Sequence, residues 1–282
     1  MSASYPRRLF MAPSGLREEV QPPRPVLGER RGATHHPDFS KMTALVLAAG
    51  LGTRLRAKTG GVPKPLVRIR GYPIVVRQIR WLCSQNVRRV WVNVHYRAEE
   101  VRACIQREAP RDVDIRFHYE PTLLGTAGTT RAIFRAAPEL DRLIVVYGDN
   151  LTQFDLRQLI ARHLRDPLLV TVALFDQRRH PHTGIAGGRA VADAQGFVVD
   201  FVEGSHDSSL VNAGVYVVER SLFDVVPDRE PLDFGRDVFP WLLRSGYAVG
   251  AHIIDGYCLG LDTPVALRRG LELICQREVH LV

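Results

Sequence analysis

The residues whose types and spacing could do chemistry gather first between positions 47 and 66. Leu47-Ala48-Ala49-Gly50-Leu51-Gly52-Thr53-Arg54-Leu55 closes an apolar stretch, and Gly61-Val62-Pro63-Lys64-Pro65-Leu66 follows shortly after. Small residues at the end of a strand let backbone N–H groups converge on phosphate oxygens. Arg54 lies inside that loop, and Lys64 stands between two prolines that fix the backbone around it. A guanidinium and an ammonium would then meet one polyanion from two directions. Each feature alone fits a tight turn or a solvated surface; their combination in this order points to a bound polyanion.

Two familiar phosphate-binding patterns do not fit. A dinucleotide fingerprint needs a third small residue where Leu55 stands and an acidic ribose partner about 20 residues on, and Val67-Arg68-Ile69-Arg70-Gly71 occupies that region. The glycine spacing of a P-loop, closed by Lys and Ser or Thr, is also missing, which argues against a P-loop kinase or ATPase.

The elements that must position these residues read as an alternation. Ala44 to Ala48, Arg89 to Val94, Ile115 to Tyr119 and Leu143 to Tyr147 are short apolar runs of strand length. Between them, Ile74, Val75, Gln78, Ile79 and Leu82 recur at helical spacing within 73–84, as do Val101, Cys104 and Ile105 within 98–108. This is the rhythm of a wound α/β sheet. After Asp149 a helix over 155–164 precedes three β-rich stretches, 168–175, 197–202 and 211–218, which predict a partly antiparallel second part. Helices over 234–244 and 264–275 flank a short β stretch near 249–254. Residues 1–41, rich in Pro, Arg, Gly and Ser with no apolar period, read as a disordered tail. Residues 42–282 read as the folded domain, whose rhythm changes near residue 150.

Composition narrows the classes. The chain has 282 residues and a formal net charge of +8, yet arginine is scattered and no basic helix with interleaved aromatics stands out. An anionic small substrate fits that charge as well as nucleic acid does. Only Lys41, Lys58 and Lys64 are lysines, which makes a lysine inside a motif more noticeable. Cys83, Cys104, Cys258 and Cys275 never form the paired spacing of a zinc or redox site, so idle thiols are expected. No apolar run approaches the roughly 18 residues of a membrane span, and no compact secretory signal opens the chain, so a cytoplasmic protein without a membrane partner is expected. His180 and His182, bracketing Pro181, lack further ligands nearby and read as loop residues.

From the glycine loop through Lys64 the sequence resembles the sugar-1-phosphate nucleotidyltransferases, and most of all their mannose-1-phosphate guanylyltransferase branch. Further motifs follow in that family's order: Val92-Asn93-Val94-His95-Tyr96, Leu124-Gly125-Thr126-Ala127-Gly128, Gly148-Asp149-Asn150, Phe201-Val202-Glu203 and Asn212-Ala213-Gly214-Val215-Tyr216. The resemblance implies a three-layer α/β/α Rossmann-like fold with a mixed, mostly parallel sheet and a smaller β-rich sugar-binding lobe. It implies that Arg54 and Lys64 act on the triphosphate, with Leu47, Ala48, Ala49, Gly50, Gly52 and Thr53 around it. Gly125, Thr126 and Gly128 would lie against the base and sugar of a nucleoside triphosphate, with GTP favoured. Asp149 and Asp262 would hold Mg²⁺, while Asn150, Glu203, Asn212 and Gly214 would face a phosphorylated sugar or cyclitol. The residues themselves agree in part: Asp149 follows an apolar strand, and α/β sheets place ligands at the carboxyl ends of strands. Asp262, ahead of Thr263-Pro264, is open to a second reading as a helix N-cap.

One motif departs from the family. The glutamate of the third motif is usually followed by lysine and proline, whereas Glu203 is followed by Gly204 and Ser205. Either Arg178, Arg179 or Arg189 takes over, or the acceptor is unusual, such as a heptose or cyclitol phosphate held partly by the loop 204–209. The same departure keeps a second reading open, a regulatory homologue that binds nucleotide without turnover. Assembly into a homo-oligomer is left open by the sequence.

Overall fold

The computed structural model describes residues 39–52, 55, 60–184, 187–204 and 208–281. Along the chain these form β1 (Thr43–Leu47), β2 (Arg68–Ile69), β3 (Tyr72–Pro73), α1 (Ile74–Ser84), β4 (Arg89–Val94), α2 (Ala98–Glu108), β5 (Asp114–Tyr119), α3 (Thr126–Ala136), β6 (Arg142–Tyr147) and β7 (Asn150–Gln153). There follow α4 (Leu156–Arg165), β8 (Val170–Asp176), β9 (Arg189–Ala192), β10 (Val198–Val202), β11 (Leu210–Glu219), α5 (Phe239–Arg244), β12 (Gly250–Ile253), β13 (Tyr257–Gly260) and α6 (Pro264–Cys275).

A nine-stranded sheet runs in the order β10-β9-β11-β6-β1-β4-β5, with β8 also on β11 and β12 on β8. In the first half β6, β1, β4 and β5 are all parallel. The β-rich second half is built onto the same sheet, because β11 lies antiparallel to β6. β11 serves three strands: its pairing with β8 shifts register at a bulge between Asn212 and Tyr216, while Val211 pairs with β9 and Val215 to Glu219 pair with β6.

Strand period 2 explains the layers. Ala44 and Val46 of β1 face a core closed by Val75, Ile79 and Leu82 of α1, Val101 and Ile105 of α2, and Leu156, Leu159 and Ile160 of α4. Leu45, between them, faces the opposite core, which Ile133 and Phe134 of α3 and Phe239 and Leu242 of α5 close. Each such fully buried aliphatic contributes about 1.5–3 kcal/mol relative to an exposed one. The strands are thus covered on both faces, as near-continuous apolar runs require.

Residues 1–38 of the expected tail lie outside the described residues, and Phe39–Lys41 form a 3-10 turn whose Phe39 ring packs on the core. The segment expected as one helix over 234–244 opens as a π-helical turn, Phe234–Val238, before α5. All four cysteines are free thiols. Among the described residues no helix is long and apolar enough to cross a membrane.

Candidate active site

The site is organised by a small antiparallel ribbon beside the main sheet. β7 pairs with β13 so that Asn150 lies opposite Gly260. Asp149 immediately precedes one strand and Asp262 shortly follows the other, so both carboxylates emerge at the same end. They converge on one cation: the Lys64 ammonium donates to Asp149 Oδ2 at 2.7 Å and also to Asp262 Oδ1. Lys64 is 5 % exposed, Asp149 33 % and Asp262 27 %, so the ammonium is enclosed and the carboxylates are partly solvated. Burial pulls the Lys64 pKa down, but the two carboxylates outweigh it and hold it above the ordinary lysine value. The capping role open to Asp262 is filled by its neighbour, because Thr263 Oγ1 accepts from the Ala266 N–H at 3.1 Å and Pro264 begins α6.

Backbone geometry seats the lysine. Pro63 and Pro65 flank it in a buried 3-10 turn, Lys64–Leu66. Gly52, at φ +57°, packs against it so closely that an added Cβ would lie 2.7 Å from Lys64 Cβ. Asp149 is brought in by Gly148, whose N–H donates to Leu47 O at 2.9 Å and where a Cβ would meet that same oxygen at 2.8 Å. Gln78 of α1, 1 % exposed, donates through Nε2 to Asn150 O and steadies the backbone beside Asp149.

A second buried network ties the glycine loop to the next motif. The Ala48 N–H donates to Asn93 Oδ1 at 2.7 Å, and Asn93 Nδ2 donates to Glu120 Oε1 at 2.8 Å. Glu120, 1 % exposed, also accepts from Thr129 Oγ1 at 2.5 Å and from the Leu124 N–H at 3.2 Å. Ala49 is buried beside Ala48, whereas Gly50 faces open space.

The start of α3 is already satisfied from within the protein. The N–H groups of Ala127 and Gly128 donate to Leu232 O at 2.9 and 3.0 Å, and Asp233 Oδ1 accepts from the Thr126 N–H and Oγ1 at 3.4 and 3.2 Å. Gly125, at φ +77°, permits this contact, since a Cβ would lie 2.5 Å from Leu232 O. The Tyr147 hydroxyl shares hydrogen bonds with Tyr216 and Thr126, and burial pushes its pKa up to about 12.

On the acceptor side, the Asn212 side chain bridges its own bulge, accepting from the Gly214 N–H at 2.9 Å and donating to Tyr216 Oη at 2.7 Å. Gly214, at φ +67°, lies against the Tyr147 ring. Glu203 is exposed along its length, but its Oε2 rests against Gly188 and Gly235. Burial of that end raises the carboxyl pKa; Arg236 opposes the rise and Asp233 adds to it. Gly204 has φ +76°, a backbone in which a lysine would be strained. Of the three candidate replacement cations, Arg178 and Arg179 are exposed, while Arg189 lies in register with Val202 and Val211, one position from Glu203 and from Asn212. Its Nη1 donates to Gln177 Oε1 at 2.7 Å and to Ser208 O at 3.1 Å.

Lys64, Asp149 and Asp262 thus meet directly, and Gly52 touches Lys64. Asn150, Thr126, Gly214 and Asn212 are joined to the same region through Gln78, Tyr147 and Tyr216. Thr53, Arg54 and residues 205–207 of the expected acceptor loop lie outside the described residues. Sequence reasoning missed Gln78, Glu120 and Asp233 as organising residues. Gln78 had a usable signal, being a polar residue inside an apolar helical stripe.

Against this geometry, a family-wide pattern described as "Nucleotidyl transferase" matches residues 43–262. The chain belongs to the nucleotidyl transferase family. Within it, the mannose-1-phosphate guanylyltransferase catalytic subunit beta of Drosophila pseudoobscura pseudoobscura is 30% identical over 236 residues, covering 82% of this chain and 62% of its own length. The chain therefore spans under two thirds of that relative. A shorter relative, the D-glycero-alpha-D-manno-heptose 1-phosphate guanylyltransferase of Aneurinibacillus thermoaerophilus, is 26% identical over 231 residues, covering 81% of this chain and 96% of its own. The crystal structure of HddC from Yersinia pseudotuberculosis complexed with GMP-PN has the same fold, at a TM-score of 0.69 and 23% identity, covering 83% of this chain and 99% of that one. As a nucleotidyl transferase, the chain has a mixed, mostly parallel central sheet with helices on both faces and small antiparallel sheets beside it.

Proposed function

We propose that this nucleotidyl transferase joins a nucleoside triphosphate, with GTP favoured, to a sugar 1-phosphate or a sugar-like heptose or cyclitol phosphate, releasing pyrophosphate. The observation that carries the reading is one buried ammonium, Lys64, held between two carboxylates at the carboxyl end of the parallel strands. The heptose-phosphate relative, nearly all of whose length is matched, supports an acceptor of that class. So does Glu203-Gly204, where the expected lysine is replaced by a glycine.

In the reaction, an acceptor phosphate oxygen forms a bond to the α-phosphorus as the bond to the bridging β-phosphate oxygen breaks, and pyrophosphate leaves with that electron pair. The nucleophile is already anionic at neutral pH, so no general base is needed. The protein's task is positioning and charge neutralisation. Lys64, fixed by two prolines and by contact with Gly52, supplies a positive charge at a set place; Arg54 supplies a second from the glycine loop. Asn93 and Glu120 hold that loop to α3.

Asp149 and Asp262 fit Mg²⁺, which takes one or two carboxylates and completes its shell with phosphate oxygens and water. When bound there, Mg²⁺ would neutralise charge on the triphosphate and on the departing pyrophosphate. Lys64, which donates to both carboxylates here, is the residue that would offer its ammonium to a phosphate oxygen.

The deciding experiment is pyrophosphate release across five nucleoside triphosphates and a panel of sugar, heptose and cyclitol phosphates. Turnover with GTP and one heptose or cyclitol phosphate is expected, and Asp149→Asn is expected to abolish that magnesium-dependent turnover. Clear preference for mannose or glucose 1-phosphate would reject the unusual acceptor. Nucleotide binding without turnover on any acceptor, unaltered by Asp149→Asn, would instead establish the regulatory reading that Gly204 favours.

A further inference from the structure

Cys258 receives no role from the sequence, yet it occupies the join between the two sides of the site. It stands on β13 in register with Thr152 of β7, within the ribbon that delivers Asp262 and Asp149. Both side chains are buried. Thr152 Oγ1 donates to Cys258 Sγ at 3.5 Å, and the thiol donates in turn to Ala213 O at 3.2 Å. One buried chain of side-chain hydrogen bonds thus joins β7 and β13 to β11.

The carbonyl at the end of that chain lies where the sheet ladder gives least support. β11 is in register with β8 up to Asn212 and again from Tyr216, with β6 from Val215 and with β9 at Val211, so Ala213 and Gly214 fall between the registered stretches. Side chains shape the bulge instead. Asn212 Oδ1 accepts from the Gly214 N–H, the Tyr147 ring lies against Gly214, and the Cys258 thiol holds Ala213 O. A buried carbonyl that loses its donor keeps its desolvation cost, so the bulge is held where the thiol can reach it. Burial pushes the thiol pKa up to about 12; the Thr152 hydroxyl opposes that rise, and the charges of Asp149 and Asp262 add to it. The thiol therefore keeps the proton it donates at neutral pH, and it lies within the field of both carboxylates.

We propose that Cys258 and Thr152 are positioning residues for the transfer reaction: their hydrogen-bond chain sets the place of the Asn212–Gly214 bulge relative to the carboxylates of Asp149 and Asp262. This role rests on the reading above, in which the chain joins a nucleoside triphosphate to a phosphorylated acceptor. The acceptor phosphate must then be aligned with a nucleotide held at the carboxylate pair, and a misplacement of ~1 Å between reacting groups can cost about a hundredfold in rate. Both residues are buried, so they act through Ala213 and not on substrate.

The test compares C258A with C258S in the full chain. Both lose the sulfur, and only serine keeps a hydrogen to donate to Ala213 O. In steady-state pyrophosphate release, with the acceptor that the parent turns over best, C258A should raise KM for that acceptor about tenfold and leave KM for the nucleoside triphosphate unmoved, while C258S returns toward the parent. Amide hydrogen exchange in the absence of ligand should be faster at Gly214 in C258A than in C258S. Should C258A not fold, T152V against T152S carries the same comparison. Lower thermal stability in C258A with unchanged kinetics would reduce the chain to a structural one and overturn the proposal. Equal KM values in C258A and C258S, or equal exchange at Gly214, would overturn it as well. A parent that turns over no acceptor is a different failure, since it removes the transfer reading itself and this role with it.

Discussion

Replacing Lys64 by methionine tests the charge arrangement most directly. Methionine keeps the length of the side chain and removes the ammonium, leaving Asp149 and Asp262 facing one another around a site whose cation was 5 % exposed. Breaking a fully buried pair costs about 3–5 kcal/mol, because the remaining charge is stranded, and an exposed pair contributes about 0–1. The two carboxylates keep 33 % and 27 % of their surface in water, so the cost should fall between these limits, at about 1–3 kcal/mol. With a urea m-value near 3 kcal/mol/M, the unfolding midpoint should drop by roughly 0.3–1 M. Millimolar Mg²⁺ should raise the midpoint of K64M more than that of the parent, since the variant offers the ion two carboxylates without a resident ammonium; at a hundredfold excess over Kd the gain is about 2.7 kcal/mol. The pH dependence has a definite sign. Lys64 is held above its ordinary value of 10.5, so its contribution is complete below pH 10.5 and is lost as pH rises through the elevated folded value. The difference between parent and variant should therefore shrink only at strongly alkaline pH. Equal urea midpoints at pH 7, with no differential response to Mg²⁺, would refute the reasoning.

Gly52→Ala would place a Cβ 2.7 Å from Lys64 Cβ on a left-handed backbone, and should lower stability by about 1–2 kcal/mol and kcat/KM for pyrophosphate release by tenfold or more, as read by urea unfolding and steady-state kinetics. Glu203→Gln should stabilise the fold at pH 7: the folded carboxyl pKa is raised above 4.5, so ionisation opposes folding as pH rises through that range, and the gain should vanish below it in a pH series of thermal unfolding. If Glu203 faces the acceptor, the same variant should raise KM for the sugar phosphate. Glu120→Gln turns an amide donor toward Asn93 Nδ2 or the Leu124 N–H, and should cost about 1–3 kcal/mol in chemical unfolding with no cation removed from the site.

Much of this arrangement was legible in the sequence because its signals are local. The runs in β1, β4 and β6 need only apolar residues at strand length, and the stripes of α1 and α2 need only helical period. Lys64 stood out through its two prolines and Asp149 through the strand before it. What was not legible depends on partners far along the chain. Glu120 follows the strand expected over Ile115 to Tyr119 and looks like a solvated acid until Asn93 and Thr129 surround it. Asp233 joins Thr126 only because the π-helical turn folds back on α3. β7 and β13 are four residues each, too short for alternation to declare them, although they decide where Asp149 and Asp262 meet. α3 begins Thr-Ala-Gly-Thr-Thr, residues that apart from Ala127 have weak helical preference, and contacts to Leu232 and Asp233 help to specify it.

The β7–β13 ribbon carries a consequence for how the protein is made. Lys64 and Asp262 are 198 positions apart, and the strand that delivers Asp262 is the last among the described residues. A nascent polypeptide emerging from the ribosome can bury its parallel strands and enclose the lysine long before the second carboxylate exists. Until then the charge cluster is short of one acid, so the arrangement around Lys64 is completed only after residue 262 has been made, and a chain terminated before it never acquires the second carboxylate.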